Sequence, residues 1–157
     1  MIMKPLNILM NWGARLVLER PVRNLSLPDL AAQLEETGKQ ISGHLDRYAD
    51  SPANRRKLCH MIGVERWGQR RLRVALGEPF LPEEYNHYRP DDQRPWIELK
   101  TEWETTRRAT LAIVNDLIQA KLAFTIKIPH NQFGPLSPNG WLRYLDVHAS
   151  GESKRIK

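Results

Sequence analysis

Cysteine is nearly absent. The 157 residues include one, Cys59, which excludes an internal disulfide and a cysteine-built zinc cluster and agrees with a reducing compartment. Long apolar runs are missing too: no stretch approaches the roughly 18 residues a membrane-spanning helix needs. Residues 1–27 interrupt Ile8, Leu9 and Met10 with Asn11, Trp12, Gly13 and Arg15, so they lack the apolar block and small-residue cleavage site of a secretory signal. The expectation is a cytoplasmic protein with no membrane partner. The chain also has no internal repeat, no low-complexity stretch, no zinc-finger spacing, no aromatic RNA-binding strand and no glycine-rich phosphate loop.

What is present suits one soluble domain. With 41% hydrophobic and 27% charged residues, a chain of this length buries roughly two thirds of its unfolded surface on folding. The net charge of +6 invites a nucleic-acid reading, because phosphate neutralisation needs a basic footprint. Its distribution weakens that reading. Residues 1–27 carry four basic and one acidic side chain, residues 54–78 carry seven and two, and the remainder is net negative. Nucleic acid is therefore the least favoured partner, with Arg55, Arg56, Lys57, Arg70 and Arg71 as its candidate contacts.

Apolar spacing predicts four amphipathic helices. The first starts at Ser26, with Asp29 completing a cap, and carries Leu30, Leu34, Thr37, Ile41, Leu45 and Tyr48. Ser51 and Pro52 open the second, which carries Leu58, Met61, Ile62, Leu72 and Leu76 until Gly77 and Pro79 stop it, with Arg66, Arg70 and Arg73 on its basic face. A connection from Gly77 to Arg94 is expected to cross one end of the assembly. The third helix starts near Pro95 and presents Trp96, Leu99, Trp103, Thr106, Thr110, Ile113 and Leu117. Residues 122–128 read either as a short strand, from the alternation of Phe124, Ile126 and Ile128, or as a frayed helix end. Pro129 closes either one, and a loop over 130–135 leads to the fourth helix at Ser137 and Pro138. The expected fold is an all-α four-helix bundle over 26–157, with long connections. Residues 1–25 form an N-terminal extension in which 7–18 can make a turn or two of helix.

Trp141, Leu145, Ala149 and Ile156 share one side of the fourth helix, and His148 and Glu152 project from the middle of that arc, opposite Arg143, Asp146, Ser150, Ser153 and Lys154. At a separation of four residues their Cβ atoms lie about 5–6 Å apart, so an imidazole and a carboxylate can hold one ion. A histidine and glutamate so spaced are more often a hydrogen-bonded pair, or a partner for an arginine, than metal ligands. His60 lies on the flank of the second helix's apolar arc. It stands nine residues beyond Ser51, and His148 eleven beyond Ser137, roughly 13 and 16 Å down their helices. Those depths match if the second and fourth helices run parallel across the core diagonal, as in a simple up-and-down bundle. Two imidazoles and a carboxylate with an open position suit zinc, iron, nickel or manganese. His44 reads as a boundary histidine or a further ligand, Cys59 as a half-buried packing residue, and Glu65 as the partner of an inward arginine or a base near the ion. Trp96, Trp103 and Trp141 read as core anchors. His87 and His130 fall in loops, with His130 near the mouth of the proposed site.

With these residues laid out, the chain resembles the DinB/YfiT-like family of four-helix-bundle metalloproteins. The likeness lies in Lys57–Trp67 (KLCHMIGVERW) and Leu136–His148 (LSPNGWLRYLDVH) and covers about residues 28–157. His60 and His148 match two of that family's three metal-ligating histidines, and Glu152 stands where the third is usual. The resemblance implies a divalent metal held by His60, His148 and Glu152, and a homodimer. It also implies a thiol-dependent transferase or isomerase acting on a small-molecule substrate, in which the metal activates a low-molecular-weight thiol. No residue is assigned a catalytic role beyond the ligands. The competing expectation is a metal-free helical module for binding or structure, with Glu152 paired to a histidine or an arginine.

Overall fold

Each long helix begins at a local start signal. Ser26 accepts from the Asp29 N–H at 3.2 Å while the Asp29 carboxylate takes the Ser26 N–H at 3.0 Å, and this capping box opens α1 (Leu27–Leu45). Ser51 caps α2 (Pro52–Ala75) and Ser137 caps α4 (Pro138–Ser153), each followed by a proline whose fixed φ suits the first turn. Between them α3 (Trp96–Ala120) follows Pro95 and ends at Lys121, which turns left-handed at φ 47°. The computed structural model describes residues 13, 15–122 and 125–157. It is mostly helical, with four long helices and one small sheet.

That sheet is a two-stranded antiparallel ribbon, β1 (Ile128–His130) and β2 (Gly134–Leu136), lying between α3 and α4. The extended segment thus starts later than the 122–128 pattern suggests, and the expected loop is a hairpin. Phe124, part of that pattern, lies outside the described residues. Pro129 does not end the strand. It stands opposite Pro135, a position in an antiparallel pair where neither residue has to donate an N–H. Ile128 and His130 face inward on either side of it.

Two apolar clusters fix the helix directions. One gathers Leu30 and Leu34 of α1, Trp67 and Leu72 of α2, Ile113 and Leu117 of α3, and Trp141 and Leu145 of α4. The other gathers Ile41 and Leu45, Leu58 and Ile62, Leu99 and Trp103, with Ala149 and Ile156. Helices α1 and α4 meet the first cluster early and the second late, whereas α2 and α3 do the reverse. The main contacts run α1 to α3, α3 to α2, α2 to α4 and α4 to α1. Helices α2 and α4 are therefore adjacent and antiparallel, not the parallel diagonal pair of an up-and-down arrangement. Because α2 and α3 are parallel, residues 76–95 cannot simply cross an end; they return along α2. Phe80 sits over Arg71, the Glu83 carbonyl accepts from Trp67 Nε1, Tyr85 lies on His60, and Arg89 donates to the Arg56 carbonyl. Gly63 lets this strap lie flat, since a Cβ there would fall 2.4 Å from Arg89 Cγ.

Part of the stretch read as an N-terminal extension joins the core. The expected helical turns over 7–18 lie partly in residues 7–12 and 14, outside the described residues. A π-helical turn at Arg15–Glu19 follows. Leu18 and Val22 are buried, and the Glu19 carboxylate accepts from Ser137 N at 2.5 Å and from its hydroxyl at 2.8 Å. Trp96, Trp103 and Trp141 are buried anchors. Glu65 is an ion-pair partner: its carboxylate lies 3.0 Å from Arg107 Nε and accepts from the Thr110 hydroxyl at 2.7 Å, with Gln69 donating in turn to Thr110. Arg107 also donates to the Leu34 carbonyl and approaches Asp146 at 3.7 Å, so one network ties all four helices.

A Cβ on Gly68 would fall 2.4 Å from Leu145 Cδ2 and 2.8 Å from Cδ1, and Leu145 is itself buried. Gly68→Ala should therefore destabilise the protein by about 1–3 kcal/mol through overpacking, despite alanine's better helix propensity. Urea unfolding checks this, and an unchanged or raised midpoint would show that α2 and α4 are not held at this distance.

Candidate metal centre

His60 projects from the start of α2, and His148 and Glu152 from the end of α4. Antiparallel neighbours bring such positions together. The ends are clamped where Asn54 Nδ2 donates to the Lys157 carbonyl at 2.8 Å, the Lys157 N–H returns to Asn54 Oδ1 at 3.2 Å, and Lys57 Nζ donates to the Arg155 carbonyl. Asn54 is 2% exposed, so this exchange is shielded and sets the register.

His60 Nε2 and His148 Nε2 lie 3.1 Å apart, and one ligand atom from each of His60, His148 and Glu152 falls within 4.8 Å of the others. Two nitrogens held tetrahedrally by one zinc-sized ion at about 2.0–2.1 Å lie about 3.3–3.4 Å apart, so the imidazoles stand close to that spacing. All three residues are half-buried. Burial pushes His148 down to about 4, helped by the nearby charges of His60 and Arg155. It also lowers His60, against the opposing pull of the Glu152 carboxylate. Both rings are thus neutral at pH 7, the form that donates a lone pair to a metal. Without an ion, one ring donates to the other, and Glu152 Oε1 accepts from Arg155 Nη1 at 2.9 Å. The donor set fits a divalent cation, and it also satisfies itself.

The other candidates stand apart. His44 packs on Tyr48 with ring centres 4.8 Å apart. Cys59 is wholly buried rather than half-buried, and burial pushes its thiol up to about 11. His87 is exposed on the Tyr85–Tyr88 turn. Among the described residues, His60, His148 and Glu152 are the one such group that could hold a metal. The basic face of α2 is largely engaged: Arg66 pairs with Glu102, Arg70 with Glu78, and Arg71 is buried. No helix of the described residues is long and apolar enough to cross a membrane.

Three neighbours escaped the sequence reading or were misplaced by it. Tyr85, from the strap, meets His60 edge-on at 5.1 Å; it sits in a segment with no periodicity to reveal its direction. Tyr144 lies 5.8 Å from the His148 ring, and its place four residues earlier on α4 was a usable signal. His130, expected in a loop, is buried at the end of β1 among Trp67, Phe133, Trp141 and Tyr144. Its Nδ1 accepts from the Gln132 and Phe133 N–H groups at 3.1 and 3.2 Å, so the neutral ring carries its proton on Nε2. Burial, reinforced by Arg71 and His148, pushes it down to about 4.

The two strongly shifted histidines make stability pH-dependent. Their folded pKa lies below the unfolded value near 6.5, so the neutral ring is favoured on folding; the contribution is complete above about pH 6.5 and is lost as pH falls toward about 4. Each histidine should contribute roughly 3 kcal/mol over that window. In metal-stripped protein, urea unfolding from pH 7 to 4 should show this fall, and His130→Phe should remove about half of its slope. An identical slope in the variant would place His130 in contact with solvent.

Comparison with family models, with curated proteins and with solved structures gives no match to this chain.

Proposed function

We propose that the protein is a four-helix bundle of the DinB/YfiT-like kind that binds one divalent metal through His60, His148 and Glu152 and uses it in a thiol-dependent transfer or isomerisation. The observation that carries this reading is the convergence of two neutral imidazoles, 3.1 Å apart, with a carboxylate on the next turn of α4. When bound, the metal supplies a Lewis acid that lowers the pKa of a coordinated water or thiol. Zinc, nickel, iron and manganese all suit two histidines and one carboxylate.

The chain's own residues orient and shield. The His148 ring packs edge-on against His60, with ring centres 5.0 Å apart, and lies 5.8 Å from the Tyr144 ring. Tyr85 and Tyr144 cover the two imidazoles with aromatic surface, which limits water at the donor atoms. Arg155, 69% exposed, holds one oxygen of Glu152, leaving the other available to an ion. A cytoplasmic homodimer acting on a small molecule belongs to the same proposal. A second reading, a metal-free binding or structural module, is favoured by that Arg155–Glu152 pair and by the direct contact of the two histidines, which satisfy the same atoms without an ion.

Elemental analysis of natively purified, untagged protein should find about one equivalent of a divalent metal, lost in both His148→Ala and Glu152→Ala. Absence of metal in the wild type, with none gained on reconstitution, would leave the module reading in its place.

A further inference from the structure

A cavity of about 980 Å³ lies at the end of the bundle where α1 and α4 begin and α3 finishes, near the upper limit of the roughly 300–1,000 Å³ that small-molecule sites occupy. From Asn139, in its wall, to His148 is nine residues of α4, about 13–14 Å along the axis, so the cavity is separate from the metal centre. Half of the described residues lining it are aliphatic or proline, among them Val22, Leu117, Ile118 and Leu122, and none is aromatic. Arg20, Arg23, Lys121 and Lys127 also line it and are exposed, which puts its mouth at the surface beside four cations.

The neutral polar groups of the wall are satisfied from within. Asn139 Nδ2 donates to the Leu25 carbonyl at 3.0 Å, the Ser137 hydroxyl to Glu19 at 2.8 Å, and the Ser26 hydroxyl to Asp29 at 2.6 Å. Glu19 is the one carboxylate among the described lining residues, and it already holds Ser137 and lies 3.3 Å from Lys127 Nζ. Four cations and this carboxylate leave the lining at +3, and counting Asp29 at the α1 cap still leaves +2. Among the described residues, Arg20, Arg23 and Lys121 have no ion-pair partner. A cluster of like charges repels itself, and an aliphatic floor is unfavourable to leave wet. One molecule relieves both, with an anionic head for the cations and an aliphatic body for the floor. The described lining offers no aromatic face on which a nucleobase could stack.

We propose that this cavity binds an alkyl chain bearing an anionic head, a carboxylate or a phosphate, with the head among Arg20, Arg23 and Lys121 and the chain against Val22, Leu117 and Ile118. The site is independent of a metal at His60 and His148.

Calorimetric titration of the native protein with decanoate and with decyl phosphate, each below its micelle-forming concentration, tests this assignment. Decyltrimethylammonium carries the same chain under a positive head, and acetate is a head without the chain. At least one decyl anion should bind saturably and raise the melting temperature, the tighter of the two naming the head group, while decyltrimethylammonium and acetate should do neither. Added salt should weaken the binding. The double variant Arg20→Gln/Arg23→Gln alters two exposed side chains, and should weaken the anion about tenfold or more, equivalent to about 1.4 kcal/mol. Ile118→Trp fills the floor and leaves the charges in place; it should weaken binding by a similar factor, and metal content should be the same in both variants. In wild-type protein the Leu117 and Ile118 methyl resonances should shift with the decyl anion, a readout that survives if a variant fails to fold. No saturable binding of either decyl anion, equal binding of decyltrimethylammonium or acetate, or undiminished binding in the double arginine variant would overturn the assignment.

Discussion

Helices α2 and α4 touch through Gly68, whose missing side chain leaves the space that the Leu145 isobutyl group fills. Close approach in opposite directions ties each residue late in α2 to one early in α4. Trp67 therefore meets Trp141, His60 meets His148, and Asn54 meets the carbonyl of Lys157. A slide of one residue along either helix would swing its side chains by about 100° and separate the two imidazoles. The polar centre is thus a consequence of backbone packing, and the exchange between Asn54 and Lys157 holds the register at the end nearest to it.

The interior treats its polar groups in three ways, according to what each can give up. Glu65 and Arg107 face each other, with the Thr110 hydroxyl donating to the carboxylate and Gln69 donating in turn to Thr110. A buried pair of this kind adds little net stability but fixes which faces meet. His60, His148 and His130 lose their charge, because burial favours the neutral ring and an imidazole can release its proton near neutral pH. Arg71 can do neither: a guanidinium stays protonated, and its hydrogen bonds go to neutral oxygens. Its charge is met by the π faces of Trp67 and Phe80, which stabilise a cation without accepting its remaining N–H groups as a carboxylate would.

Legibility in the sequence follows the distance over which each feature is decided. Ser26, Ser51 and Ser137 announce helix starts because a cap is settled within four residues, and the inward pair of His148 and Glu152 is visible because one helical turn separates them. The meeting of His60 with those two spans 88 residues. Matching helix depths suggested it for the wrong reason, since the helices run antiparallel and the depths count from opposite ends. Arg71 read as a candidate contact for nucleic acid, and only the packed structure reveals its aromatic enclosure; an inward arginine opposite Glu65 was legible, but not that Arg107, 42 residues away, supplies it. The hairpin at 128–136 hid behind Pro129, a residue that normally ends a strand and here faces a second proline. Tyr85 had no local pattern to betray it.

The parallel course of α2 and α3 joins these observations. Two parallel neighbours require a connection that travels back the length of a helix, and the chain lays residues 76–95 along α2, where Gly63 gives it room. Trp67 and Arg71 fasten the strap at the Glu83 carbonyl, Tyr85 settles against His60, and Phe80 closes over Arg71. A face of α2 that would otherwise meet water is thereby enclosed, and enclosure is what lowers the proton affinity of His60 and leaves the Arg71 charge with π faces for company. A purely topological demand, the return of the chain between two parallel helices, thus supplies the low-polarity surroundings in which the His60 ring favours its neutral form and the Arg71 guanidinium rests between two aromatic rings.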